Sequence, residues 1–214
     1  TNQREFIKCL IVTLPPRSPT ASSTSLSAPL PEKKRRHAIS VREMAVYAMF
    51  GVLMLTSKIV MEAVPNVHLL GMFTMLLTVV YRRRALYPIY VYVLLNGVYA
   101  GFASWWLPYL YIWTVLWGVT MLLPRNMPKK CAAVVYPLVC ALHGLAFGTL
   151  YAPAQALIYG LSLEGMLAWI VAGLPWDVVH ALGNLAAGVL ILPLSELLRR
   201  LNAKFGIAAA EGDK

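Results

Sequence analysis

Leu174–Ala187, LPWDVVHALGNLAA, is the stretch whose reading decides the fold. It is apolar enough to lie in a bilayer, yet it carries Asp177, His180 and Asn184 at i, i+3 and i+7. On a helix these three side chains share one face. That face cannot meet hydrocarbon, where an Asp near the bilayer centre costs on the order of 2.5 to 3.5 kcal/mol. It must look into protein or a water-filled cavity, while Val178, Leu182, Leu185, Val189 and Leu192 meet lipid or neighbouring helices. Such a stripe has two possible roles: it lines a substrate pocket, or it clamps adjacent helices together.

The composition around this stretch narrows the class. Hydrophobic residues make up 59 % of the 214 and charged residues only 13 %, the balance of a single-domain integral membrane protein rather than a soluble globule. A formal net charge of +10 would suit a nucleic-acid partner, but the Lys and Arg residues flank apolar runs, the pattern of membrane topology, so no nucleic acid is expected. Cys131 and Cys140 lie nine residues apart in one apolar segment and cannot bridge each other, so no disulfide framework is implied and both read as packing residues. His37, His68, His143 and His180 show no metal-ligand spacing, and neither a metal nor another cofactor is expected.

Working outward, the apolar runs give six spans: about Val41–Ala63, Val67–Tyr81, Leu86–Ser104, Tyr109–Leu123, Cys131–Tyr151 and Trp176–Leu198. Threading six spans from a cytoplasmic N-terminus puts the basic clusters at 33–36, 82–84, 125–130 and 199–204 on one side and leaves the opposite connections without Lys or Arg. The fold class is therefore an all-α integral membrane protein, a six-transmembrane-helix bundle with N- and C-termini cytoplasmic. Residues 40–204 form the membrane domain. Residues 1–39, Ser/Thr/Pro-rich and basic, read as a disordered tail or as sequence upstream of a start near Met44, and 205–214 as a flexible tail. Between the fifth and sixth spans, Ala152–Pro175 reads as two short helices, Ala154–Leu161 and Leu163–Ala172, with a Gly-Leu-Pro break before the last span. Apolar but too short to span twice, this segment is expected to form an outer lid.

The connections opposite the basic clusters hold the unusual chemistry. Asn66 and His68 follow the first span, Trp105, Trp106 and Tyr109 lie around the second of these connections, and Tyr151 and Gln155 open the third. Aromatic residues crowd this side, as a cup gripping a small planar or amphipathic ligand would, whereas an anchoring belt would be symmetric. Asn96 and His143 add polar groups within the third and fifth spans. Ala45, Ala48 and Gly51 form a strip of small residues on the first span, where another helix could approach closely. There is no G-x-S-x-G, H-E-x-x-H or nucleotide-binding motif, and the D-x-x-H at Asp177 and His180 is a two-residue match that chance supplies often. Catalysis is not expected, and active transport would draw on another subunit or an ion gradient.

The region from about Ser40 to Leu201, with PNVHLLG at Pro65–Gly71 and GLPWDVVHALGN at Gly173–Asn184, resembles a substrate-binding S component of an energy-coupling factor (ECF) vitamin transporter. The resemblance implies a six-helix bundle in a bacterial-type plasma membrane, holding one vitamin or related ring-bearing micronutrient near its outer face. It makes Asn66, His68, Trp105, Trp106, Tyr109, Tyr151 and Gln155 loop contacts, and Asp177, His180 and Asn184 polar ligands or their support. Its partners would be a transmembrane coupling subunit, docking at Ala45, Ala48 and Gly51, and two ATPase subunits. Capture from outside would be followed by toppling of the bundle within the lipid bilayer. An ion- or proton-coupled carrier with Asp177 and His180 as a relay, and a non-transporting structural membrane subunit, are the alternatives.

Overall fold

The structure, a computed structural model, describes residues 39–63 and 67–207, and within these residues every regular element is helical. Helix α1, Val41–Val60, starts at a reciprocal cap: the Glu43 N–H donates to the Ser40 hydroxyl at 3.2 Å, and the Ser40 N–H donates to the Glu43 carboxylate at 2.8 Å. The chain continues through α2, Leu70–Tyr81, α3, Leu86–Ala100, α4, Tyr109–Leu122, α5, Lys129–Leu145, α6, Phe147–Tyr159, α7, Leu163–Gly188, and α8, Ile191–Phe205. Three stretches are long and apolar enough to cross a membrane, Val41–Ala63, Lys129–Tyr159 and Leu163–Gly188, which marks the chain as a membrane protein.

Helix α2 sits at the centre. All of its residues are buried, and it is packed by α1, α4, α5, α7 and α8. Its 12 residues reach about 18 Å, well short of a hydrocarbon core of about 30 Å. Because protein rather than lipid surrounds it, it is apolar on every face and has no need to match the bilayer.

Basic segments and helix ends meet at one pole. Glu43 pairs with Arg84, Lys129 with Glu196 at 2.7 Å, and the Tyr81 hydroxyl donates to Asn202 at 3.0 Å. Arg82, at φ +52°, turns the chain sharply out of α2. Its guanidinium donates to the Met121 carbonyl at 2.7 Å while its own carbonyl accepts from the Trp117 indole at 3.0 Å. At the other pole the Tyr151 hydroxyl donates to the Trp105 carbonyl at 2.8 Å, and Ser104 and Tyr159 share a hydrogen bond of 3.1 Å.

The region after the fifth span departs from the sequence expectation. The first of the two expected short helices is the end of α6, which runs unbroken from Phe147 to Tyr159 and closes at Gly160 in the left-handed conformation. The second is the start of α7, which passes through Gly173, Leu174 and Pro175 without a break. Proline at that depth leaves the Val171 carbonyl without its helical partner, and one such loss does not end a 26-residue helix. The chain breaks instead at Val189–Leu190, two residues before the first turn of α8, where Pro193 would clash with the Val189 carbonyl in a continuous helix. The expected last span, Trp176–Leu198, is thus the second half of α7 joined to α8. Helix α8 reaches Phe205 and is capped by Gly206, so the expected C-terminal tail starts later, and the N-terminal tail lies outside the described residues apart from Ile39. Cys140 is a buried free thiol, but Cys131 is in a disulfide; their spacing bears only on pairing with each other.

Candidate functional site

The polar stripe of α7 points inward. Asp177 is 5 % exposed, His180 3 % and Asn184 0 %, while Val178, Leu182, Leu185 and Val189 are exposed. Glycines let α5 and α6 come close enough to be bonded from this stripe. A Cβ on Gly144 would stand 2.8 Å from the Asn184 amide nitrogen, and one on Gly148 would stand 2.4 Å from an Asp177 oxygen.

Each stripe residue has a separate task. The Gly148 N–H, in the first turn of α6, donates to both Asp177 oxygens at 3.0 and 3.1 Å, so a carboxylate from α7 caps the positive end of α6. The Asn184 amide donates to the Cys140 carbonyl of α5 at 3.1 Å. His180 makes no such bond: its ring lies 4.6 Å from that of His68 and 4.9 Å from that of Phe147, centre to centre.

Around His180 the rings form a continuous cluster. Trp113, on α4, is its hub, 5.8 Å from His143, 5.9 Å from Tyr109, 6.0 Å from Phe147 and 6.2 Å from both His68 and Tyr92. Phe147 stacks on Tyr151 at 6.1 Å, Tyr151 stacks on Trp169 at 5.9 Å, and Trp105 meets Tyr109 edge-on at 5.6 Å, so the cluster runs out toward the pole opposite the arginines. Inside it, polar atoms are left over. His68 Nδ1, His143 Nδ1, His180 Nε2, Trp113 Nε1 and Tyr92 Oη are buried without a hydrogen-bond partner; so are Asn184 Oδ1 at its border, both side-chain polar atoms of Asn96, and, elsewhere, polar atoms of Tyr47, Thr74, Arg82 and Asn202. Natively buried polar groups are rarely left in this state, and a concentration of them is where a polar ligand would be bound.

The fold thus brings His68, Tyr109, His143, Tyr151 and His180 of the expected site together, with Asp177, Asn184 and Trp105 at its border, the Asn184 amide packed against Gly71, Gly144 and Cys140, and Asn96 buried on α3. Trp106 is directed elsewhere, its indole donating to the Val93 carbonyl at 2.8 Å and its ring against Phe102. Gln155 is half-buried on α6, and Asn66 lies outside the described residues. Of the small strip on α1, Ala45 and Ala48 are exposed but Gly51 is turned against Val91 of α3, where a Cβ would stand 2.3 Å from a Val91 methyl. Three-residue steps drift by about 60° each around a helix, which carries Gly51 off the face that Ala45 begins.

Phe147 was not among the expected site residues, and Trp113, one of the aromatic residues crowding the expected cup, was not singled out as a contact. Tyr109 and Trp113, like His143, Phe147 and Tyr151, recur at four-residue spacing, which is the signal that could have extended the cup one turn inward. An open groove of about 560 Å³ runs along α3 between Arg83 and Leu94 and shares no residue with the histidine cluster. Among the described residues no three His, Cys, Asp or Glu side chains are placed to hold a metal ion. The chain matches no family model, no curated protein and no solved structure.

Proposed function

We propose that the protein is the substrate-binding subunit of an ECF-type transporter in a bacterial-type plasma membrane, and that it takes up a vitamin-like, ring-bearing micronutrient. It has no catalysis of its own; a transmembrane coupling subunit and two ATPase subunits supply the energy. The observation that carries this reading is the set of unpartnered polar atoms on His68, His143, His180 and Trp113 inside an aromatic cluster.

The six-pass arrangement with both termini cytoplasmic is supported by the two poles. The 82–84, 125–130 and 199–204 segments lie at one pole, through contacts such as Arg84–Glu43 and Lys129–Glu196, and the aromatic connections join at the other. Helices α2, α3 and α4 then make the short passes, with α2 enclosed by protein. Ala45 and Ala48 are exposed on α1 for the coupling subunit, without Gly51. The clamp reading holds for two stripe residues: Asp177 and Asn184 tie α7 to α6 and α5 through their bonds, and His180 is the stripe residue that faces the cluster.

The test is a thermal-unfolding screen of the detergent-purified chain against vitamins and their precursors, with His180→Ala and Trp113→Phe alongside. A ligand at a hundred times its Kd adds about 2.7 kcal/mol to the folded state. One compound should give such a shift, lost or strongly reduced in both variants. Folded protein with no response across the panel would remove the reading.

A further inference from the structure

The hydrogen-bonding inventory of the cluster restricts its ligand, provided that the cluster is the substrate site. His143 Nε2 lies 3.2 Å from the Ile112 carbonyl. A carbonyl only accepts, so Nε2 carries the proton, and Nδ1 of the neutral ring is a lone-pair acceptor, buried and unpartnered. Asn184 donates from Nδ2 to the Cys140 carbonyl, which fixes the amide orientation and leaves Oδ1, again purely an acceptor, buried and unpartnered. His68 Nδ1 and His180 Nε2 each offer one further donor or acceptor according to tautomer, the Tyr92 hydroxyl offers both, and the Trp113 indole offers a donor.

The charges nearby point the same way. The Asp177 carboxylate sits three residues from His180 on the same face of α7. Lys58, in the last turn of α1, is the cation whose charge reaches the cluster, at His68, and it is paired with Glu62 at 2.9 Å. An anion would enter a buried site beside two fixed lone-pair acceptors and a carboxylate, where the nearby Lys58 charge is already taken up by Glu62. A ligand with N–H groups in its plane would satisfy both acceptors and stack on the ring walls.

We infer that the ligand is a flat, uncharged or cationic, amino-substituted nitrogen heterocycle that gives at least two N–H or O–H donors to His143 Nδ1 and Asn184 Oδ1, and that its carboxylated counterparts are rejected.

The experiment is calorimetric titration and thermal unfolding of the full chain with matched probes: 2,4-diaminopyrimidine against orotate, and nicotinamide against nicotinate, besides the vitamin panel. The amino or amide partner should bind at least tenfold more tightly than the carboxylate partner in each pair. His143→Phe should weaken it tenfold or more, and His143→Gln, which keeps an acceptor, should recover part of the loss. If His143→Phe does not fold, the Gln variant and the paired probes decide alone. Equal or tighter binding of the carboxylates would overturn this inference and leave the transporter reading standing. Folded protein that binds no probe and no vitamin would overturn that reading and this inference with it.

Discussion

Asp177 could be read from the sequence as a residue that must face inward, but its partner could not. The i, i+3, i+7 spacing with His180 and Asn184 fixes a common face, whereas the Gly148 N–H it accepts from lies 29 residues earlier in another helix. A carboxylate on the first turn of a helix is worth about 1 to 2 kcal/mol through capping and the helix dipole. Asp177→Ala should therefore lower unfolding stability by about that amount, as followed by denaturant titration in detergent. Gly148→Ala should cost a similar amount for a different reason, since its new Cβ would press on an Asp177 oxygen at 2.4 Å. The two losses share one cause of conflict, so the double variant should cost clearly less than their sum. Strict additivity would mean that the carboxylate does not sit over that amide. Trp113 could be placed among the aromatic residues of the outer side but not as their hub: a Trp in an apolar run reads equally well as packing or as interfacial anchoring, and only convergence of the segment before α2 with α3, α4, α5 and α6 makes it one.

The elements were legible where apolar runs are bounded by charge, and illegible where proline was the punctuation. Pro175 and Pro193 lie in the same stretch of chain, yet α7 passes through the first and ends before the second. The difference is position. Pro193 falls in the first turn of α8, where no N–H is needed, and a kink there lets the end of the chain pack on α2 through Ile191, Ser195 and Asn202. Pro175 is interior and exposed, on the side of α7 away from the stripe, so its cost is carried by the bonds on either side. Interior proline disfavours a helix by about 3 kcal/mol, so Pro175→Ala should leave ligand binding intact and hold or raise the unfolding midpoint. Loss of binding in that variant would show that the Gly-Leu-Pro segment is a working hinge. By contrast Gly188, where a Cβ would stand 2.6 Å from the Pro137 backbone, is the close approach of α7 to α5, and Gly188→Leu should prevent the native packing, seen as loss of a cooperative unfolding transition.

At the scale of the molecule, the sequence carries the architecture in its charges more plainly than in its helices. The expected second and fourth spans, Val67–Tyr81 and Tyr109–Leu123, are near the short limit for crossing a bilayer, and for the second the structure gives the reason, because α2 is sheltered by protein and does not need bilayer length. The basic clusters do not depend on such shelter. Lys and Arg at 82–84, 125–130 and 199–204 converge on one pole because each ends or begins a helix there, and their pairing with Glu43 and Glu196 ties those ends together. If six passes cross the membrane, this pole faces the cytoplasm and the Trp105–Tyr151 pole faces outward. Single cysteines introduced at exposed positions test this directly with a membrane-impermeant maleimide on intact cells, measured above the labelling of the parent chain. Phe102→Cys and Leu161→Cys should react from outside, whereas Arg83→Cys and Asn126→Cys should react only after the membrane is opened. An Arg83→Cys chain labelled in intact cells would reverse the poles, place the histidine cluster on the inner half, and leave an uptake subunit with its site on the wrong side.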